Sequence, residues 1–151
     1  MASALDMAVM AWSPLAVGVL AGRYNRPDDT SPRVSPAAQR QFLKERNLKI
    51  AADLKGFAKQ SGHPMAQISL NWLRQSKRAN VMPIIGPTTM KHVEQNVGCV
   101  DWDLLPEQID LLDKLTDIEL GFPYSWAKDP FLHKLLFGDT EKKIVFPRPR
   151  A

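Results

Sequence analysis

Met7-Ala-Val-Met-Ala-Trp-Ser-Pro-Leu-Ala-Val-Gly-Val-Leu-Ala-Gly-Arg23 is an apolar run that breaks at Ser13-Pro14 into a loop of small residues. It is too short, and too interrupted by Pro14 and glycine, to cross a membrane, and no basic patch precedes it, so it is not a signal peptide. An apolar run of this kind, closing on a loop, predicts a strand buried on both faces whose carboxyl end opens onto that loop. Parallel α/β proteins bind their ligands at such ends.

The rest of the 151 residues is punctuated accordingly. Residues 24–36 are polar and carry three prolines, which predicts a long connection. From about Ala37 to Gln60, Ile50, Leu54, Phe57 and Ala58 recur at helical spacing, and Ser61-Gly62 marks the stop. A second helix is expected from Pro64 to near Ser76, with Met65, Ile68, Trp72 and Leu73 on its apolar face. Val81–Ile85 reads as a second buried strand, with Pro83 inside it. Gly86-Pro-Thr-Thr89 then leads into a helix with Met90, Val93 and Val97 turned inward, and a last amphipathic helix starts at Pro106 with Ile109, Leu112 and Leu115 inward. Beyond Gly121 aromatics and prolines alternate without a period, so Trp126, Phe131, Leu135, Leu136 and Phe137 are expected to pack on a neighbour, and Lys142–Arg150 to fray. Strands alternating with helices imply a parallel sheet. Two strands cannot cover both of that sheet's edges.

Composition narrows the function classes. Hydrophobic residues make up 44% and charged residues 24% of the chain, a soluble globular balance. The net charge is +4, but basic and acidic residues are interspersed, with no basic stripe suited to nucleic acid. Cys99 is the single cysteine, so no internal disulfide forms, and a reducing, cytoplasmic compartment follows. It is expected to be a small buried hydrophobe rather than a nucleophile. No metal site is assigned.

Two loops suit a phosphate. In the first, Ser13 offers a hydroxyl, Gly18 and Gly22 permit close backbone approach, and Arg23 adds a fixed charge. The second feeds a helix N-terminus, whose amides and dipole attract anions.

Ala11–Arg23 resembles the segment after the seventh strand of aldo-keto reductases. Pro83-Ile-Ile-Gly-Pro-Thr-Thr-Met-Lys-His-Val-Glu-Gln-Asn96 resembles that family's eighth strand and the loop beyond it. Ala66-Gln-Ile-Ser-Leu-Asn-Trp-Leu73 and Leu105-Pro-Glu-Gln-Ile-Asp110 are similar to its last two barrel helices, and Leu120-Gly-Phe-Pro-Tyr124 to the tail of its larger members. The resemblance implies that residues 1–120 are the C-terminal part of a (β/α)₈ TIM barrel, with about two parallel strands and four helices, followed by a tail at 121–151. It also implies NADP(H) as cofactor. Trp12, Ser13, Pro14, Leu15 and Ala16 fall where the family wraps the pyrophosphate and nicotinamide side, and Arg23 on its loop cation, with Arg33 a second phosphate contact. Gly86, Thr88, Thr89 and His92 fall on the 2′-phosphate and adenosine, and Gln95 and Asn96 on the adenine edge. Many members carry Lys or Arg at the position of Thr89, Arg or Gln at that of His92, and Glu at that of Gln95. These departures leave NAD(H) open beside NADP(H), because Thr and a neutral His are weaker phosphate partners than Arg.

The family transfers a hydride to a carbonyl while a Tyr, tuned by Lys and Asp and accompanied by a His, gives the proton. The resemblance places all four ahead of the matched segment. Tyr24 and Tyr124 are expected to pack or lie at the surface, His63 to cap a helix or face solvent, His92 to belong to the adenosine loop and His133 to the tail. No catalytic residue is assigned. Three readings follow: the cofactor-holding part of a reductase of small aldehydes and ketones (or dehydrogenase of alcohols), inactive alone; a non-catalytic nucleotide-binding or interaction module that needs a partner chain; or a truncated product without independent function. Unpaired strand edges favour self-association in each.

Overall fold

In the computed structural model, which describes residues 2–25, 35–119, 121–127 and 129–143, two strands define the architecture. Strand β1 (Val9–Trp12) pairs in parallel with β2 (Val81–Ile84), Val9 opposite Val81 and Trp12 opposite Ile84. Parallel strands need a long crossover, and here it contains helices α1 (Pro36–Phe42), α2 (Glu45–Ser61) and α3 (Met65–Arg74). Pro83, which has no amide hydrogen to give, sits opposite Ala11 in a sheet where each strand is an edge. The expected strands are present, but the burial expected on both faces is not. Met10 is 68% and Trp12 74% exposed, and Met82 and Ile84 are exposed as well.

The core lies in the helices instead. Leu54 of α2, Ile68 of α3, Leu104, and Ile109 and Leu112 of α5 (Pro106–Leu115) form one buried cluster, with Phe57, Trp72, Trp102 and Leu115 packed against it. Helix α3 is the centre of this layer. Four successive residues, Ile68, Ser69, Leu70 and Asn71, are buried, so the helix is enclosed beyond the single apolar face its spacing predicts.

Several boundaries differ from the sequence reading for identifiable reasons. The helix expected over 37–60 is two helices, because Leu43 leaves helical geometry and Lys44 is extended. The Asn47 amide donates to the Phe42 carbonyl at 3.0 Å, satisfying the end of α1 and permitting the break. Ser35 caps α1 by accepting from the Ala38 amide at 3.2 Å, and Gly62, at φ 74°, ends α2 as expected. Pro64 is the extended cap of α3 rather than its first helical residue. Helix α4 (Met90–Val97) is rotated from expectation: Met90 and Val97 are exposed, and Asn96 is its buried residue. The segment beyond Gly121 is not wholly aperiodic. It forms α6 (Tyr124–Ala127) and α7 (Pro130–Phe137), with Asp129 accepting from the Phe131 amide at 2.8 Å. Trp126, Phe131, Leu135 and Leu136 remain exposed rather than packed. Among the described residues, no helix is long and apolar enough to cross a membrane.

Candidate functional site

Because β1 and β2 run parallel and Trp12 lies opposite Ile84, both strands stop at the same end of the sheet. The loops that follow, one from Ser13 and one from Ile85, therefore leave from a common edge. That is the arrangement the two phosphate-suited loops require.

The first loop departs from ordinary backbone geometry at several residues. Ser13, Ala16 and Val17 all have positive φ, at 53°, 47° and 51°. For a β-branched valine this conformation is strained, and such strain persists where surrounding structure enforces it, as at ligand sites. Gly18 follows at φ 96°, and a Cβ there would meet the Arg23 side chain at 3.2 Å. Glycine is favoured at position 18 by its dihedral, and the Arg23 side chain packs closely over it. Short turns close the loop, the Ala16 amide donating to the Ser13 carbonyl and the Gly18 amide to the Leu15 carbonyl, each at 2.9 Å. Val19 is the buried anchor. At the end of the loop the Tyr24 hydroxyl is buried with no hydrogen-bond partner among the described residues, in keeping with the packing role expected as one of two from sequence. Arg33 lies outside the described residues.

The second loop ends in a capped helix. The Thr89 hydroxyl accepts from the His92 amide at 3.2 Å, and Thr88 Oγ1 lies 3.3 Å from His92 Nδ1. Thr88, Thr89 and His92 are thereby one hydrogen-bonded unit on the first turn of α4. The amides of Met90 and Lys91 precede the first intrahelical bond and are left for an outside acceptor. Lys91, not singled out in the sequence, adds an exposed ammonium to the same turn. Around Gly86 the space within 4 Å of a would-be Cβ is open.

Helix α3 touches the first loop and the last turn of α4. Ser69 Oγ donates to Met65 O at 2.9 Å and lies 3.4 Å from the Leu20 carbonyl, while Gln67 Nε2 donates to the Gln95 carbonyl at 2.9 Å. Beyond Gln67, Trp102 Nε1 donates to Gln67 Oε1 at 3.1 Å. His63, expected to cap or face solvent, stacks on the Trp102 ring with centroids 3.6 Å apart. Asn71, fully buried, donates to the Trp102 carbonyl at 2.9 Å and accepts from Arg74, which also pairs with Asp103. The long-range part of this network was not legible in the sequence, since Gln95 and Trp102 lie far along the chain from Gln67 and Asn71.

A cavity of about 190 Å³ opens beneath the end of β1, lined by Trp12, Pro14, Leu20, Leu54, Trp72 and Leu112 among others. Its walls are apolar, and of the assigned loop residues Trp12 and Pro14 reach it. Cys99 is buried, as expected, and burial pushes its thiol above the ordinary range against the opposing pull of the Arg74 charge. Among the described residues no group of three or more His, Cys, Asp or Glu side chains could hold a metal ion.

Comparison with known proteins adds to this geometry. A model of the aldo/keto reductase family matches residues 1–117. An aldo-keto reductase of Strobilurus tenacellus is 30% identical over 117 residues, 75% of this chain and 34% of that protein. A putative aryl-alcohol dehydrogenase of Saccharomyces cerevisiae is 34% identical over 94 residues, 61% of this chain and 25% of its own length. The chloroplastic pyridoxal reductase of Arabidopsis thaliana is 33% identical over 109 residues, 71% of this chain and 28% of that protein. The matched stretch thus spans about a quarter to a third of each of these relatives.

Proposed function

The chain belongs to the aldo/keto reductase family, and from that premise we propose that it binds NADP(H) at the common edge of its sheet, as the cofactor-holding part of a (β/α)₈ oxidoreductase. The observation that carries the proposal is the parallel register of β1 and β2, which sets both loops at one end. The donor set fits a dinucleotide. Ser13 and the strained turn through Val17 and Gly18 would hold the pyrophosphate with Arg23. Thr88, Thr89 and His92, with the leading amides of α4, would hold the 2′-phosphate and ribose, and Gln95 and Asn96 the adenine edge. Trp12, exposed at the end of β1, offers a broad ring for the nicotinamide side. When bound, the cofactor supplies a hydride for exchange with an aldehyde, ketone or alcohol carbon. No residue of this chain is assigned to proton transfer, so binding without turnover is the expected behaviour of the isolated chain. The lone, buried Cys99 supports a reducing compartment, the cytoplasm.

Titration of the chain with NADPH, read by nicotinamide fluorescence and thermal stabilisation, tests this. Saturable binding that weakens when Arg23 or Thr88 is replaced by Ala supports it. Absence of binding at millimolar NADPH and NADH overturns it. NADPH oxidation by the isolated chain with a panel of aldehydes, above a buffer control, would overturn the separation of binding from turnover.

A further inference from the structure

The amide of Gln67 stands between two groups it satisfies at once. Its Nε2 donates to the carbonyl of Gln95 on the last turn of α4, and its Oε1 accepts from the indole of Trp102. Trp102 is itself held from three sides. His63 stacks on its ring, Asn71 donates to its carbonyl, and the core cluster packs against it. The acceptor side of Gln67 is therefore fixed by the helical core, while its donor side grips the turn that carries Gln95 and Asn96.

Gly98 adds an independent observation. It follows α4 directly, with helical dihedrals that any residue adopts (φ −56°, ψ −7°). A Cβ at this position would lie 2.6 Å from Gln67 Nε2, far inside contact distance. The backbone does not require glycine there; the seat of the Gln67 amide does.

We propose that Gln67 is a positioning residue, which sets the orientation of Gln95 and Asn96 for the adenine end of the dinucleotide by tying the last turn of α4 to the Trp102 indole. The function of that turn rests on the cofactor reading above; the tie itself does not. Gln67 touches no ligand in this scheme. The Gln95 carbonyl is already an intrahelical end group, and an end carbonyl without a partner leaves the last turn to fray. Held by Gln67, the turn keeps the Gln95 side chain at the surface and the Asn96 side chain buried beneath it.

Two variants separate this role from general stability. Gln67→Glu keeps an oxygen for the Trp102 indole but sets a carboxylate oxygen against the Gln95 carbonyl, breaking the tie at one end. Gly98→Ala leaves Gln67 in the sequence and displaces its amide, at a helical position where Ala is favourable. Both are made in the full chain and read in two ways. The first is hydrogen exchange of the amides of 94–98: the proposal expects faster exchange there in both variants and unchanged exchange in α2 and α5. The second is binding of adenosine 2′,5′-bisphosphate and of nicotinamide mononucleotide. The proposal expects the bisphosphate to weaken by about five- to tenfold, the effect of one lost hydrogen bond, with the mononucleotide unchanged. Unchanged exchange at 94–98 in either variant overturns it, as does equal weakening of both ligands, the result of a merely structural role. If the unmodified chain binds neither ligand, the cofactor reading falls and the positioning role falls with it, while the exchange data still decide whether the tie exists.

Discussion

The apolar residues of the helical layer and those of the sheet meet opposite fates. Ile68 on α3 and Leu54 on α2 are buried, whereas Met10 and Trp12 on β1 are more than two-thirds exposed. The difference is not in hydrophobicity but in what each element has to face. Helices α2, α3 and α5 close on one another around Ile68 and Leu112, and among the described residues the two-stranded sheet has no further strand at either edge. An apolar run reports a demand for partners, and the same demand is met in one half of this molecule and left open in the other.

The strongest test of that contrast is a pair of truncations. Ile68→Ala is expected to destabilise the chain by about 2–5 kcal/mol, measured by urea or thermal unfolding, because it empties a fully buried site. Met10→Ala, at an exposed strand position, should stay within about 0.5 kcal/mol. Comparable losses at both would mean that the sheet is covered in solution, and would transfer the stability of the molecule to an assembly. The next effect in size comes from polar groups inside the helical layer. Asn71→Ala should cost about 1–3 kcal/mol, since it strips the part-buried Trp102 carbonyl and the Arg74 guanidinium of one partner each. At the loop edge, Thr89→Ala removes the cap of α4 and should cost about 1 kcal/mol, read as earlier unfolding of that helix by hydrogen exchange. The smallest effect is at Cys99. Its folded thiol titrates above the unfolded one, so the protonated form is favoured in the native state. That contribution is complete below the ordinary thiol range and is lost as pH rises from the unfolded value towards the folded one, where the unfolded chain alone gives up its proton. Stability should therefore fall over that alkaline window by more than in Cys99→Ala, which lacks the titration. An identical pH slope in the two proteins would place Cys99 in contact with water.

Much of this arrangement can be read in the chain before folding. Gly62 and the Pro106 start of α5 are placed correctly because each acts through its own dihedral preference or missing amide, a strictly local property. Ile109, Leu112 and Leu115 are placed correctly because α5 has a core to face. The rotation of α4 was not legible, since Met90 and Val97 are as apolar as any core pair and their exposure depends on Asn96 taking the buried position. The break at Leu43-Lys44 was not legible either, as neither residue forbids a helix and the compensation comes from Asn47. At the site, the loop residues were legible through Ser-Pro and Gly-Pro-Thr-Thr. Gln67 and Trp102 were not, because their pairing depends on a contact between segments distant in sequence. His63 was misplaced for the same reason: stacking on Trp102 has no signature beside it in the chain.

The register of the sheet also sets an order of events. Val9 can find Val81 only after all the intervening chain has been drawn together, and the helices α2 and α3 lie within that span. Contacts between residues so distant in sequence must be preceded by loop closure, whose entropy the nearby helical contacts do not face. Contacts between α2 and α3, which are neighbours in the chain, can therefore form before the strands register. Formation of the edge where the two candidate loops meet therefore reports that the whole span from Val9 to Val81 has closed.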